Sequence, residues 1–284
     1  MALEIKVISG PKGSNPGGKC IIPNFKNKGT DYIKYCNVND VSSLGLDVQN
    51  QPVYEAISLE MAKKLGLSVP KYKVIMNPSK TDMKFSYSPL SGEKITPLNS
   101  KKSCYFLSQF IPHNVDDTNE GLPPLMAKEK IFRDLLNLGD ISGRAQNYSF
   151  IQPRYAEPFV TYIDVGCGLV DAHGGHLSIR TSLRNKLQKI KGKKDLRNTQ
   201  KRLSRWDIKT PKGERINLKE FGESISETPI KVFDASKTGR VKIVPAKELV
   251  SSEELDKLQM IYLIVNEKFL KNYSRDKRLF RARR

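Results

Sequence analysis

The chain has 284 residues, 38% of them hydrophobic, with 49 Lys and Arg against 30 Asp and Glu and a formal net charge of +19. That length suits one two-lobed domain or two small ones, and the apolar share excludes global disorder; no run approaches membrane-spanning length, and the four scattered cysteines form no zinc pattern. The charge calls for an anionic partner (nucleic acid, acidic lipid, polyphosphate or acidic protein), with a solvated basic surface as the plain alternative.

Ile5–Ile8 predicts a short strand. Gly10–Gly18 is a Gly/Pro/Ser loop, and Tyr32–Tyr35 resumes an extended apolar/polar alternation. Gln51–Leu65 predicts a helix: Val53, Ile57, Met61 and Leu65 share a face, Gly66 suits the position after the cap, and Pro70 stops continuation. Tyr72–Met76 and Tyr105–Ile111 predict strands. Between them, residues 77–103 are rich in Ser, Pro, Lys and Asn and predict a hairpin tip or loop. From residue 112 the pattern turns helical, with Ile131, Leu135 and Leu138 on one face of Leu125–Leu138. Two short strands flank the connection between Asn147 and Asp164. Residues 178–206 predict a basic helical segment, and residues 180–215 hold fourteen Lys and Arg against three Asp and Glu. Ser251 with Glu254 forms a capping-box pattern at the start of a helix over residues 251–272, carried by Leu255, Leu258, Tyr262, Val265 and Phe269. The tail RDKRLFRARR is basic and predicts fraying. Strands first and helices later predict an α+β fold divided at residues 1–111 and 112–284.

Several of these positions carry chemistry. The stretch from Gly10 to Lys19 could form a backbone anion nest, but Cys20 follows Lys19 and breaks the P-loop pattern, so a plain flexible loop competes. Lys34 shares a strand face with Tyr32; an exposed strand lysine is its ordinary role, and a phosphate-binding one needs a carboxylate on the next helix. Glu55 is preferred for that carboxylate over Glu60. Asp140, Asn147 and Asp164 come in an order that suits metal-assisted phosphoryl transfer, in which one group orients a hydroxyl and two oxygen ligands hold Mg²⁺. Asp140 and Asn147 each have a turn residue as the bland alternative. Asp164, at a strand end before Val165-Gly166, is harder to dismiss. His113, His173 and His176 lack metal-site partners, His173-Gly-Gly-His176 reads as a glycine-rich loop, no GxSxG occurs, and Trp206 reads as packing.

In this order the features resemble a protein-kinase-like fold, and more specifically the HipA-like kinases and the related phosphatidylinositol kinases. Gly10–Gly18 resembles the phosphate loop, and Tyr32-Ile-Lys34 the lysine strand. Tyr54-Glu55-Ala56 through Pro70 resembles the glutamate helix, and Tyr105–Ile111 the strand entering the hinge. Phe132 to Asp140 with Asn147-Tyr-Ser-Phe is similar to the catalytic loop, and Tyr162-Ile-Asp164-Val-Gly166 to the metal-binding turn. The resemblance covers roughly residues 5–170. It implies a β-rich N-lobe and a mainly helical C-lobe with ATP between them. Gly13, Ser14, Gly17 and Gly18 would lie over the phosphates, Lys34 held by Glu55 would contact them, and Ser108, Gln109 and Phe110 would meet the base. Asn147 and Asp164 would hold Mg²⁺, and Asp140 would orient the acceptor hydroxyl. The family usually separates catalytic Asp and Asn by four residues; here Ile141–Gln146 intervene and the usual His is absent, which leaves a pseudokinase scaffold as an alternative.

A protein Ser/Thr hydroxyl is the first expectation for the acceptor, and a phosphoinositide or inositol phosphate the second. Arg180, Arg184, Lys186, Lys189, Lys191, Lys193, Lys194, Arg197, Lys201, Arg202 and Arg205 form the expected anion site, for an inositol polyphosphate or phosphoinositide. A non-catalytic nucleic-acid binder rests on charge alone and ranks below these. MALEIKVISG lacks the basic-then-apolar layout of a signal peptide, so the expected location is cytoplasmic, with peripheral membrane contact compatible. So divergent a kinase also fits a bacterial effector delivered into a host cell.

Overall fold

The expected α+β class holds: six of the eight strands of the main sheet come from the first half of the chain, and the longest helix described lies in the second. The computed structural model describes residues 2–11, 15–23, 29–36, 44–89, 95–112, 122–138, 147–163, 169, 171–173, 176–178, 181–190, 193–236, 240–273 and 280–282. The first half contains β1 (Leu3–Val7), β2 (Gly17–Ile21), β3 (Asp31–Lys34), helix α1 (Gln51–Lys64), β4 (Tyr72–Met76), β5 (Met83–Tyr87) and β6 (Cys104–Gln109). Then come α2 (Leu122–Leu135), β7 (Tyr148–Ile151), β8 (Phe159–Tyr162), β9 (Asp171–His173), β10 (His176–Ser178), α3 (Thr181–Gln188) and α4 (Arg197–Leu203). The last elements are β11 (Trp206–Lys209), β12 (Arg215–Asn217), α5 (Leu218–Glu223), β13 (Pro229–Asp234), β14 (Val241–Pro245), α6 (Ser252–Tyr273) and β15 (Phe280–Ala282).

An eight-stranded sheet organises the molecule, in the order β14-β13-β4-β6-β3-β2-β1-β5. β1 alternates buried Leu3, Ile5 and Val7 with exposed Glu4 and Lys6, the period-2 signature of a strand with one wet face. α1 lies on the face of the sheet opposite Ile5 and Val7, against β4, β6 and β13. It is buried on nearly every side, which is why its apolar residues extend beyond a single stripe. Its C-terminus closes as a Schellman motif: Gly66, at φ +86°, donates to the Lys63 carbonyl at 2.9 Å, and Leu67 donates to that of Ala62 at 3.0 Å. The expected stop at Gly66 therefore has its physical cause.

The structure departs from the sequence expectations in four places. Residues 77–103 include β5, paired in parallel with β1, where a hairpin tip or loop was expected. The alternation Met83-Lys-Phe85-Ser-Tyr87 signals it, masked by the polar residues around it. β13 and β14 join the sheet from the C-terminal third, so sheet membership crosses the expected boundary at residue 111. His173 and His176 pair across a two-stranded ribbon rather than sitting in a loop. Phe280–Ala282, expected to fray, pairs antiparallel with Trp206–Ile208.

One core cluster fills the space between the sheet, α1 and the helices that follow; a second lies on the sheet's opposite face around Ile5, Ile33 and Leu107. Trp206 packs half-buried at the edge of the first. α6 is the spine of the helical part and touches α2, α3, α4 and α5. Its capping box forms as expected: Glu254 N–H donates to Ser251 Oγ at 3.3 Å, and Glu254 Oε2 accepts from Ser251 N–H at 2.9 Å. Among the described residues no helix is long and apolar enough to cross a membrane.

Candidate functional site

Lys34 ends β3, and its ammonium lies 2.9 Å from Glu55 Oε2. The two side chains are 11% and 4% exposed, so water screens their attraction little. Gln51, one turn earlier on α1, donates its amide to Glu55 Oε1 at 3.2 Å and fixes the carboxylate from the other side. The competing acid, Glu60, lies 3.5 Å from Lys63 and beside the Tyr72 hydroxyl instead. Phe106 stands opposite Lys34 in the ladder and turns its ring to the ammonium, 5.4 Å from Nζ. Cys104 is fully buried; burial first, and then the charge of Glu55, push its thiol well above the usual range.

Gly17 pairs with Lys34, and Gly18 with Ile33. A methyl group on Gly17 would sit 2.4 Å from the Ile33 carbonyl oxygen, and one on Gly18 2.3 Å from that of Ser9. Both glycines are therefore required by the sheet itself, and the ladder position facing Lys34 carries no side chain. Lys19 shares that face, opposite Tyr32, with its ammonium 4.1 Å from the Phe110 ring centroid. The sequence signals this second cation only through the alternation Gly17-x-Lys19 across from Lys34-x-Tyr32. Gly13 and Ser14 lie outside the described residues.

Ser108 is buried and pairs with both Tyr32 and Tyr72. Gln109 donates its N–H to the Lys71 carbonyl at 2.7 Å, and Phe110 donates to Thr30 at 3.0 Å. Those two donors serve the sheet, so a base edge reaching this segment would not meet them.

The β7–β8 hairpin sets Tyr148 against Tyr162, and Ile163 donates its N–H to the Asn147 carbonyl at 2.9 Å. Asn147 is buried at the start of β7, and the residue after its partner Ile163 is Asp164. Asp140 and Asp164 themselves lie outside the described residues. The hairpin is anchored on both sides. Ser149 Oγ donates to the Pro112 carbonyl at 2.9 Å, just past β6. Tyr162 N–H donates to the Ser68 carbonyl at 2.9 Å, just past α1, and the Ser68 and Thr161 hydroxyls meet at 2.9 Å. Tyr162 also donates its hydroxyl to Glu129 on α2 at 2.5 Å. Burial raises the Glu129 carboxyl, while that hydrogen bond and Arg133 oppose the rise.

α2 closes before Asp140. Asn137, at φ +56°, donates its N–H to the Asp134 carbonyl at 3.2 Å, and Leu138 donates to that of Arg133 at 2.9 Å. The helix therefore does not need Asp140 as its cap. The Asn137 amide also donates to the Leu169 carbonyl at 3.3 Å, tying the exit of α2 to the chain beyond Asp164.

These residues suit a magnesium-bound triphosphate in kind. Lys34 and Lys19 offer ammonium groups on one face, and the oxygens of Asn147 and Asp164 are the hard donors Mg²⁺ takes. Among the described residues, no group of three or more His, Cys, Asp or Glu gathers as a metal site.

The basic segment is a different kind of place. Lys189, Lys194, Arg197, Lys201, Arg202 and Arg205 are exposed, while Leu196, Thr199 and Leu203 are buried beneath them. Arg197 and Lys201 follow at four-residue spacing on α4, and Arg205 lies in the turn just past it. Lys186 pairs with Glu267 on α6, and burial followed by repulsion from Lys271 lowers the pKa of its ammonium. Arg184 and Lys193 are placed by their backbone alone, and Arg180 and Lys191 lie outside the described residues. Amphipathic packing on α6 accounts for the segment as it stands.

No protein-family model matches the chain, and no curated protein matches it. Among solved structures, the crystal structure of a Helicobacter pylori proinflammatory kinase, CtkA, aligns with 13% identity and a TM-score of 0.33, covering 98% of this chain and 88% of that one. A fit that loose carries no argument about this chain's chemistry.

Proposed function

We propose that the chain is an atypical kinase of two-lobed, protein-kinase-like fold that transfers the γ-phosphate of ATP to a protein Ser or Thr hydroxyl. The observation that carries this reading is the Lys34–Glu55 ion pair, 2.9 Å long and nearly out of solvent between a strand and a helix. Apolar residues would spare the chain the desolvation that such a pair imposes, so its presence points to use. Magnesium-bound ATP, when present, supplies the transferable phosphoryl group and positive charge to offset its oxygens.

The chain's own residues have distinct tasks in this reading. Glu55 holds the Lys34 ammonium toward the phosphates, and Phe106 limits its other directions. Gly13 and Ser14, with Gly17 after them, would offer backbone N–H groups to anionic oxygen. Asn147 and Asp164 would offer the oxygen ligands, and the Ile163 N–H bond to the Asn147 carbonyl fixes the backbone of the first of them. Asp140 would accept a hydrogen bond from the acceptor hydroxyl and so orient it. Positioning and charge neutralisation suffice; no covalent enzyme intermediate is needed. The exposed group of Arg197, Lys201 and Arg205 serves as a secondary contact for an inositol polyphosphate.

The test uses the purified full chain with labelled ATP and Mg²⁺. The reading expects label on the chain itself or on an unstructured Ser/Thr-rich protein, and its loss in Asp164→Ala. Nucleotide binding without transfer to any protein or inositol phosphate would reassign the chain as a pseudokinase. Salt-sensitive nucleic-acid binding with no affinity for ATP would end the reading.

A further inference from the structure

Glu254 joins two parts of the chain that sequence places far apart. One of its oxygens, Oε2, completes the α6 capping box with Ser251 N–H at 2.9 Å and the Ser251 hydroxyl at 2.6 Å. The other, Oε1, reaches the entrance of α1. It accepts from Asn50 Nδ2 at 3.0 Å, from Asp47 N–H at 3.2 Å and from the Tyr54 hydroxyl in a short hydrogen bond. Nearby on α6, Lys257 donates to the Gly45 carbonyl at 2.9 Å. Tyr54 is 1% exposed and Glu254 7%, so their contact is buried, with Asn50 half-buried and Asp47 exposed at its edge. Tyr54 immediately precedes Glu55. The residue that grips α6 and the residue that grips Lys34 are therefore neighbours on one turn of one helix.

We infer that Glu254 is a positioning residue: through it the C-terminal helix holds α1 against the sheet, so that Glu55 meets Lys34 before any nucleotide arrives. The nucleotide consequence rests on the function proposed above; the placement of α1 does not. A capping box needs only Ser251 and its reciprocal bonds. The three donors on Oε1 all come from the approach to α1 and have no part in that cap. A helix anchored at its N-terminal end and closed at Gly66 has little freedom to swing Glu55 away.

The experiment compares the wild-type chain with Glu254→Ala, Glu254→Gln and Asn217→Ala. The last removes a cap of α5 and serves as a control for general destabilisation. Two quantities are read at a temperature where all four remain folded: amide hydrogen exchange across Val53–Leu59, and the Kd for Mg-ATP. Glu254→Ala should speed exchange in α1 at least tenfold and weaken ATP binding about tenfold. Glu254→Gln, which keeps an acceptor oxygen, should recover part of both. Asn217→Ala should alter neither, even at a matched Tm. Unchanged α1 exchange in Glu254→Ala overturns the inference, as does equal acceleration in Asn217→Ala. If the wild type binds no ATP, the kinase reading falls, and the exchange measurement alone still decides whether Glu254 holds α1.

Discussion

The chain concentrates charge in two places, and they are built differently. Around Lys34 the charge is nearly buried, paired with the Glu55 carboxylate, backed by an aromatic ring and held between a strand and a helix. Among the described side chains from Lys189 to Arg205 it is exposed, mostly of one sign, and spread over an outer face whose inner residues pack on α6. The first arrangement loses stability if either member is removed. The second can lose a member with little consequence for the fold. Buried paired charge is thus the sharper guide to chemistry, although the exposed run dominates the sequence.

The largest effect that would break this comparison is loss of transfer. Asp140→Ala and Asp164→Ala should each lower phosphate transfer about 1000-fold, measured with labelled ATP at saturating Mg²⁺. Full activity in both would remove the acidic half of the site. Next, Glu55→Gln removes the carboxylate charge 2.9 Å from the nearly buried Lys34 ammonium. It should cost ~3 kcal/mol in denaturant unfolding and lower transfer about 100-fold. A third substitution, Gly17→Ala, forces a methyl against the Ile33 carbonyl and should cost ~1–3 kcal/mol by the same measurement.

A smaller effect lies in pH. Burial works against the Glu254 charge, but hydrogen bonds from Ser251, Tyr54 and Asn50 outweigh it and hold the carboxyl below its usual value. A depressed carboxyl contributes its full stability above the unfolded value of about 4.3 and loses it as pH falls through the folded one. The other titratable or charged groups at this junction are Tyr54 and Asp47 at the α1 entrance and Lys257 on α6. Glu254→Gln should flatten the acid limb of a stability profile by ~1 kcal/mol, and an unaltered limb would remove Glu254 as its source. The smallest change belongs to the exposed basic group. Arg197→Glu with Lys201→Glu should shift stability by no more than ~0.5 kcal/mol while reducing any rise in Tm given by inositol hexakisphosphate. A large loss of stability instead would show that this face is structural.

Much of the frame was legible because local physics decided it. The four-residue spacing of α1, its stop at Gly66, and the Ser251/Glu254 cap are local signals with local causes. Lys34 and Glu55 were nameable as partners only from the order of motifs, since spacing alone cannot bring a strand and a helix together. What escaped was decided by neighbours distant in sequence. β5 hid among polar residues, and β13 and β14 find their places only because β4 offers an edge. The same holds for Lys19, whose importance comes from facing the same side as Lys34. Nothing local to Glu254 beyond the capping pattern reveals its grip on Tyr54.

The parallel pairing of Val74 with Val232 also has a bearing on how the protein is made. During synthesis β4 must wait with an open edge until most of the chain has left the ribosome, because its outer neighbour is encoded so late. Such delayed, long-range closure slows folding and leaves an edge open to other nascent chains. A fragment ending shortly after β6 should therefore precipitate on expression, and supplying residues 218–273 as a separate polypeptide should be a means of rescuing it.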